Sequence, residues 1–159
     1  MASDFFCNPV PNSYARLGAN EAPLYVSWSR QNRSQLVRLP SAHGEFCRVE
    51  LRGPDPAGNP YLVIGLILAA GLDGIERKLP LPEAVNRNLF HPSAAAGLES
   101  LPRTLREAIT VAGQSEFISA ELPVALQNKY FEYQTQLCQD AESAPDTEAW
   151  ERAHSFLII

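Results

Sequence analysis

CRVELRGPDPAGNPYLVIGLILAAGLDGIERK, residues 47–78, sets a charged strand, a stiff corner and a long apolar helix side by side. Arg48, Glu50 and Arg52 alternate with Val49 and Leu51. Strand side chains repeat every two residues, so this alternation predicts a strand over Phe46 to Arg52 with its charges on one face. Pro54, Asp55, Pro56 and Gly58 then force a turn. Asn59 suits a helix N-cap and Pro60 the first helical position, which predicts a helix from there to about Lys78. Arg77 and Lys78 sit favourably at its negative end, and Pro80 and Pro82 forbid continuation. The apolar run Tyr61 to Leu72 is well short of the roughly 20 residues a membrane span needs, so it reads as a buried helix.

Two more strands are expected upstream, at Leu24 to Ser29 and Gln35 to Leu39, separated by the turn RQNRS and followed by the turn SAHGE. Such close spacing points to short antiparallel strands or a meander. The first 20 residues, with Pro9, Pro11, Asn12, Gly18 and Asn20, read as loop or extended chain. Downstream, Leu79 to Ser100 is rich in breakers and reads as an irregular arm. Helical spacing returns at Pro102 to Ala112, with Leu105, Ala108, Ile109 and Ala112 on one stripe. It recurs at Ser115 to Glu121, at Pro123 to Ala141 and at Thr147 to Phe156. Strands at about 24–52, then helices at about 59–78 and 101–156, make residues 1–159 a single α+β domain with a C-terminal helical region.

The bulk numbers narrow the function classes. A chain of 159 residues, 45% hydrophobic and 19% charged, is ordinary for one globular domain. Its net charge of -5 argues against nonspecific nucleic-acid binding, which needs a basic field. Cys7, Cys47 and Cys138 lack the spacing of a zinc site and the even count of a disulfide scaffold, so a reducing, cytoplasmic setting is expected. The opening MASDFFCNPVPNSYARL has neither signal-peptide nor transit-peptide character. His43, His91 and His154 are scattered and carry no ligand motif.

Chemistry concentrates in two groups. A carboxylate between two guanidinium groups stays ionised, so Glu50 suits an oxygen ligand for a hard divalent cation, and Arg48 and Arg52 suit carboxylate or phosphate. The same triplet also reads as a solvated face of cross-strand ion pairs. The second group holds Arg16, Arg30, Arg33 and Arg38. Clustered arginines in an acidic protein repel one another unless an anion is present, which hints at a phosphate site, although an ordinary polar hairpin has the same composition. Glu21, on a Gly/Asn/Pro loop, would be a mobile carboxylate usable as a base on a lid.

NSYARL, NEAPLYVSWSRQNRS, VRLP, CRVELRGPDPAGNPYL and AAGLDGIERKL, in this order over about Asn8 to Phe90, closely resemble the C-terminal part of the type I glutamine synthetase catalytic domain. That family joins ammonia to glutamate through γ-glutamyl phosphate, using ATP and Mg2+ or Mn2+. The resemblance implies that Arg16 and Arg52 hold the glutamate carboxylates and that Glu21 binds and deprotonates ammonium. It implies further that Arg33 stabilises the transferred phosphoryl group, that Arg38 and Arg48 serve the nucleotide side, and that Glu50 ligates the metal. It also implies a homo-oligomeric ring in the cytoplasm, with no membrane or nucleic-acid partner.

The departures carry consequences. RLGANEAP is one residue shorter than the usual RLVPGYEAP, and Phe90 stands where some bacterial members have an adenylylated tyrosine, so that regulation is not expected. The family's other metal carboxylates, its ligating histidine and a glutamate-binding loop lie upstream of the NSYARL motif. The chain is therefore expected to be a partial domain, inactive by itself, whose open strand edges invite self-association. The alternatives are a segment of a γ-glutamyl-amine or polyamine ligase, or a free-standing, non-catalytic binding module.

Overall fold

The computed structural model describes residues 1–19 and 21–156. In chain order its elements are α1 (Asp4–Cys7), β1 (Trp28–Ser29), β2 (Val37–Arg38), β3 (Glu50–Leu51), α2 (Pro60–Glu76), α3 (Leu105–Gly113), α4 (Glu116–Glu121), α5 (Val124–Ser143) and α6 (Thr147–Glu151). Short 3-10 turns occupy Pro11–Tyr14, Gly44–Phe46 and Pro92–Ala95, and α6 runs on into a π turn, Arg152–Phe156. The α+β class holds. No helix among the described residues is long and apolar enough to cross a membrane.

The helix starts follow the caps in the sequence. Asn59 accepts hydrogen bonds from the backbone N–H groups of Tyr61 and Leu62, with Pro60 at the first helical position. Thr104, Ser115 and Asp146 cap α3, α4 and α6 through their side chains in the same way. The stripe expected on α3 is the buried one: Leu105, Ala108 and Ala112 are each at most 2% exposed.

Three expectations change. The sheet is mixed: β2 and β3 pair antiparallel, but β1 and β2 run parallel, with Trp28 opposite Val37 and Ser29 opposite Arg38. The physical reason lies in residues 30–36, which do not form a hairpin turn. Ser29 Oγ accepts from Asn32 N and Asn32 Oδ1 accepts from Ser34 N, so the chain doubles back and re-enters in its original direction. The strands are also far shorter than the alternation suggested, two residues each.

The second change is at the start of the chain. Residues expected as loop contain α1, whose Phe5 and Phe6 are fully buried at the centre of the core with Tyr14, Leu66, Leu105 and Ile118. Phe6 stacks on Tyr130 of α5 at 4.6 Å between ring centroids, and Phe5 meets Phe131 at 4.9 Å. Asn20, expected in the loop that follows, lies outside the described residues. The third change concerns α2. The buried helix is mostly open: only Val63 and Leu66 are buried, while Tyr61, Ile64, Leu68, Leu72 and Ile75 are 88%, 57%, 62%, 60% and 73% exposed.

The arm 79–100 is tied to β1 and to the loop before β2. Trp28 Nε1 donates to Pro82 O at 2.7 Å, Val85 N to Trp28 O at 2.9 Å, and Leu89 N to Ser34 Oγ at 2.9 Å. Asn32 Nδ2 and Gln35 Nε2 both donate to Arg87 O. This strap fixes the loop that carries Arg33.

Asp4 gives a pH test of the core. Burial raises its pKa from 3.8 to about 6, against the opposing pull of the Asn8 amide, the N-terminal amine and Arg16. Between pH 4 and 6 the folded protein keeps this proton while the unfolded chain has lost it. Stability from this group is therefore full below pH 4 and lost as pH rises through 6. Asp4→Asn, which cannot ionise, is expected to be more stable than the parent by up to about 3 kcal/mol at pH 7.5 and nearly equal to it at pH 4. Urea unfolding at the two pH values checks this; an equal difference at both would show that Asp4 does not titrate in the fold.

Candidate active site

The antiparallel register of β2 and β3 sets Arg38 directly opposite Glu50. Arg38 Nη1 donates to Glu50 Oε2 at 2.9 Å, and Arg48, two residues before Glu50 on the same face, donates from Nε to Oε1 at 3.1 Å. Both carboxylate oxygens are thus held by guanidinium groups. The hydrogen bond from Arg38, seconded by that from Arg48, holds the Glu50 carboxyl below the usual carboxylate range. It is an ionised, hard oxygen donor at neutral pH.

Arg52 continues the same face by one more step. Its backbone N–H extends the ladder to Leu36 O at 2.9 Å. Its guanidinium reaches two backbone carbonyls, donating from Nη2 to Glu21 O at 3.1 Å and from Nη1 to Arg33 O. Arg52 therefore fastens the Glu21 loop to the Arg33 loop. At that junction Arg33 Nη1 lies 3.4 Å from Glu21 Oε2, both side chains about 60% exposed. Glu21 adopts a φ of 65°, a left-handed conformation that a residue with a Cβ reaches only at a cost of roughly 1–2 kcal/mol. The loop closes around it through Ala22 N to Ala19 O at 2.8 Å and Gly18 N to Ala22 O at 3.0 Å. A carboxylate held at the rim in a strained conformation is what a functional loop residue shows.

Arg16 joins neither group. It donates from Nε to Asp55 Oδ2 at 3.2 Å, from Nη2 to Asn8 Oδ1 at 3.0 Å, and to Gly53 O. Asn8 in turn donates to Asp4 Oδ1 at 2.9 Å, so Arg16 ties α1 to the corner before α2. Sequence reasoning did not find Asn8, Gly53 and Asp55 as its partners. Asp55 sits 39 residues away in a stretch that reads only as a turn, and no periodic pattern links it to Arg16.

The structure thus brings Arg38, Arg48 and Glu50 into one ion-paired group, Glu21, Arg33 and Arg52 into a second beside it, and leaves Arg16 in a third. Guanidinium groups outnumber carboxylates across the first two. Such a wall can bind phosphate or carboxylate in bidentate fashion and stabilise charge that grows on a transferred group. Glu50 alone does not make a cation site. Among the described residues no three His, Cys, Asp or Glu side chains gather where they could hold a metal ion, and both Glu50 oxygens are taken by arginines.

Residues 1–153 match the family model described as glutamine synthetase, catalytic domain. The glutamine synthetase of Staphylococcus aureus (strain MW2) is 44% identical over 129 residues, which are 78% of this chain and 29% of that protein. That of Staphylococcus epidermidis (strain ATCC 12228) has the same identity and coverage. Among solved structures, a GmaS/ADP complex in its conformation 1 superposes with a TM-score of 0.80 at 31% identity, covering 98% of this chain and 36% of that one. Ligand-free apo GmaS gives a TM-score of 0.79 at 32% identity, with 98% and 35% covered. The chain spans 29% of the length of the curated relatives it matches.

Proposed function

The chain belongs to the glutamine synthetase catalytic-domain family, and from that footing we propose that its arginine wall serves ATP-dependent ligation of ammonia to the γ-carboxylate of glutamate. The observation that carries this reading is Glu50 clamped between Arg38 and Arg48, next to the Glu21–Arg33 pair at the rim. The likeness to a structure solved as a complex with ADP supports a nucleotide as a ligand of the complete protein.

In this reading a glutamate γ-carboxylate oxygen attacks the terminal phosphorus of ATP, the bond to ADP breaks, and γ-glutamyl phosphate forms. Ammonia then attacks the acyl carbon and phosphate leaves. Phosphoryl transfer of this kind depends on positioned positive charge more than on a covalent catalyst. Arg33, exposed and held only loosely by Glu21, meets the transferred group. Arg38 and Arg48 face the nucleotide phosphates. Arg52 takes the glutamate carboxylate, and Arg16 does so only by exchanging one of its present partners. Glu21 accepts the proton that ammonium must lose before it can attack. Glu50 would hold a magnesium or manganese ion as one of several oxygen ligands, releasing an arginine to do so. Bound there, the ion would neutralise charge on the bridging phosphate oxygens. The complete enzyme is read as a cytoplasmic homo-oligomeric ring.

The test is a hybrid in which the matching 129-residue stretch of the Staphylococcus aureus glutamine synthetase is replaced by this chain's residues. Phosphate release that needs ATP, glutamate and ammonium together is expected from the hybrid, and none above background from the 159-residue chain alone. A folded hybrid whose phosphate release ignores glutamate would sink the reading. The open setting of Glu21, 60% exposed, also admits a wider acceptor, an amine or polyamine in place of ammonia. Faster turnover by the hybrid with methylamine than with ammonium would favour that second reading.

A further inference from the structure

Residues 32–35 bury polar side chains where apolar ones would pack more simply. Ser34 and Gln35 are 1% and 0% exposed, and Asn32 is half-buried. Burying a hydroxyl or an amide costs stability unless its hydrogen-bonding positions are filled. Ser34 fills all of its own. A hydroxyl offers one donor and two acceptor positions. Ser34 Oγ donates to Asn32 Oδ1 at 2.9 Å and accepts from Leu89 N at 2.9 Å and from Gln35 Nε2 at 3.2 Å. Two of these bonds stay within the loop, and the third crosses 55 residues to the arm. Asn32 Nδ2 at 2.8 Å and Gln35 Nε2 at 3.1 Å then converge on one acceptor, Arg87 O. The arm is braced in turn by the Arg87 guanidinium, which donates from Nε to Ala94 O and from Nη2 to Ala96 O at 3.4 Å. Gln35 Oε1 is buried with no partner among the described residues, a cost that an apolar side chain of the same shape would avoid.

What these bonds fix is the residue in their middle. Asn32 and Ser34, the two neighbours of Arg33, are both tied to the arm, and the Arg33 carbonyl accepts from Arg52 Nη1. The Arg33 backbone is thus held from the arm on one side and from the end of β3 on the other. Its side chain, by contrast, makes only the 3.4 Å contact to Glu21. A rigid backbone narrows where a long side chain can carry its charge, and so aims the guanidinium without binding it. We propose that Ser34 and Gln35, acting through the backbone of Arg87 and Leu89, are positioning residues for Arg33: they place its guanidinium for phosphoryl transfer without touching substrate. This inference rests on the role proposed for Arg33 above and adds that residues 86–89 of the arm belong to the working site. It gives the buried polar side chains a purpose that packing alone does not supply.

In the hybrid enzyme Ser34→Ala should lower kcat about 10- to 100-fold, the scale of a misplaced catalytic group, while the KM values for ATP and glutamate change less than about three-fold. Added to Arg33→Ala, the same change should lower kcat by less than about two-fold more, because a residue that acts only through Arg33 then has nothing to place. A residue that merely supported the fold would cost the same factor in both backgrounds. Arg87 is exposed, so Arg87→Ala spares the core. It should lower kcat about 3- to 10-fold, again only where Arg33 is present. The geometry has its own readout: in the 159-residue chain the Leu89 amide should exchange with solvent at least about ten-fold faster in Ser34→Ala than in the parent. Unchanged exchange at Leu89, an unchanged kcat for Ser34→Ala, or equal losses with and without Arg33 would each overturn the proposal. If Arg33→Ala by itself leaves kcat at the parent value, the role of Arg33 falls and the positioning role with it. If Arg33→Ala lowers kcat and Ser34→Ala lowers it further by its full factor, only the positioning role falls.

Discussion

Arg33→Ala in the hybrid enzyme is expected to lower kcat about 10³-fold while the KM values for ATP and glutamate change by less than about ten-fold. The expectation rests on where the side chain stands. Arg33 is 62% exposed, and its one ion pair among the described residues is a 3.4 Å contact to an equally open Glu21, so the fold gains little from it. On the proposed reading a guanidinium left this free acts on charge that appears during transfer, and its removal is expected to show in kcat. Arg52 behaves differently. It is only 17% exposed and its hydrogen bonds go to the backbone of two loops, so Arg52→Ala disturbs the placement of both Glu21 and Arg33 and raises KM as well. Arg33→Lys keeps the charge but loses the planar fork, and should recover only part of the rate. An unchanged kcat for Arg33→Ala would remove Arg33 from the transferred phosphoryl group and leave it a surface cation.

How much of this site can be read in the sequence depends on the range of the interactions. The alternation of Arg48, Glu50 and Arg52 is legible because a period of two is a local property; β3 itself is only Glu50–Leu51, with Arg48 bonded to Glu50 just before it and Arg52 N bonded to Leu36 O just after. The start of α2 is legible for the same reason, since Asn59 and Pro60 act on the next turn of chain. The parallel pairing of β1 with β2 is not. It depends on how Ser29, Asn32 and Ser34 fold residues 30–36 and on the grip of Arg87 O from the arm. The exposure of α2 is also invisible to its own pattern, because a helix apolar all round gives no sign of which side is covered. Arg16 shows the same limit: its partners Asn8, Gly53 and Asp55 are assembled only when the corner at 53–58 packs against the end of α1. The resemblance assigns Arg16 to a substrate, and its local geometry assigns it to the fold.

Phe5→Ala tests the part of the molecule least legible in its sequence. Four residues make too short a helix to show a period, and isolated helices of that length do not persist in water. What holds α1 is tertiary: Phe5 is fully buried, in edge contact with Phe6 and Tyr130 at 5.0 and 5.1 Å and tilted against Phe131 at 4.9 Å. Truncation removes the ring's transfer free energy and leaves a cavity between α1 and α5, a loss of about 3–5 kcal/mol. A domain of this size commonly has only about 5–15 kcal/mol in all, so the melting temperature should fall by about 6–20 °C. Phe46→Ala supplies the matched control, because Phe46 is 68% exposed on its 3-10 turn and its loss should stay within about 0.5 kcal/mol. The site depends on the same packing. Cys7 O accepts from Asp55 N at 2.8 Å, and Asn8 and Asp55 together hold Arg16, so undocking α1 loosens the corner that follows Arg52. If both variants unfold at the same urea concentration as the parent, α1 is not part of the core, and the positions of Arg16 and the corner at 53–58 must be fixed by something else.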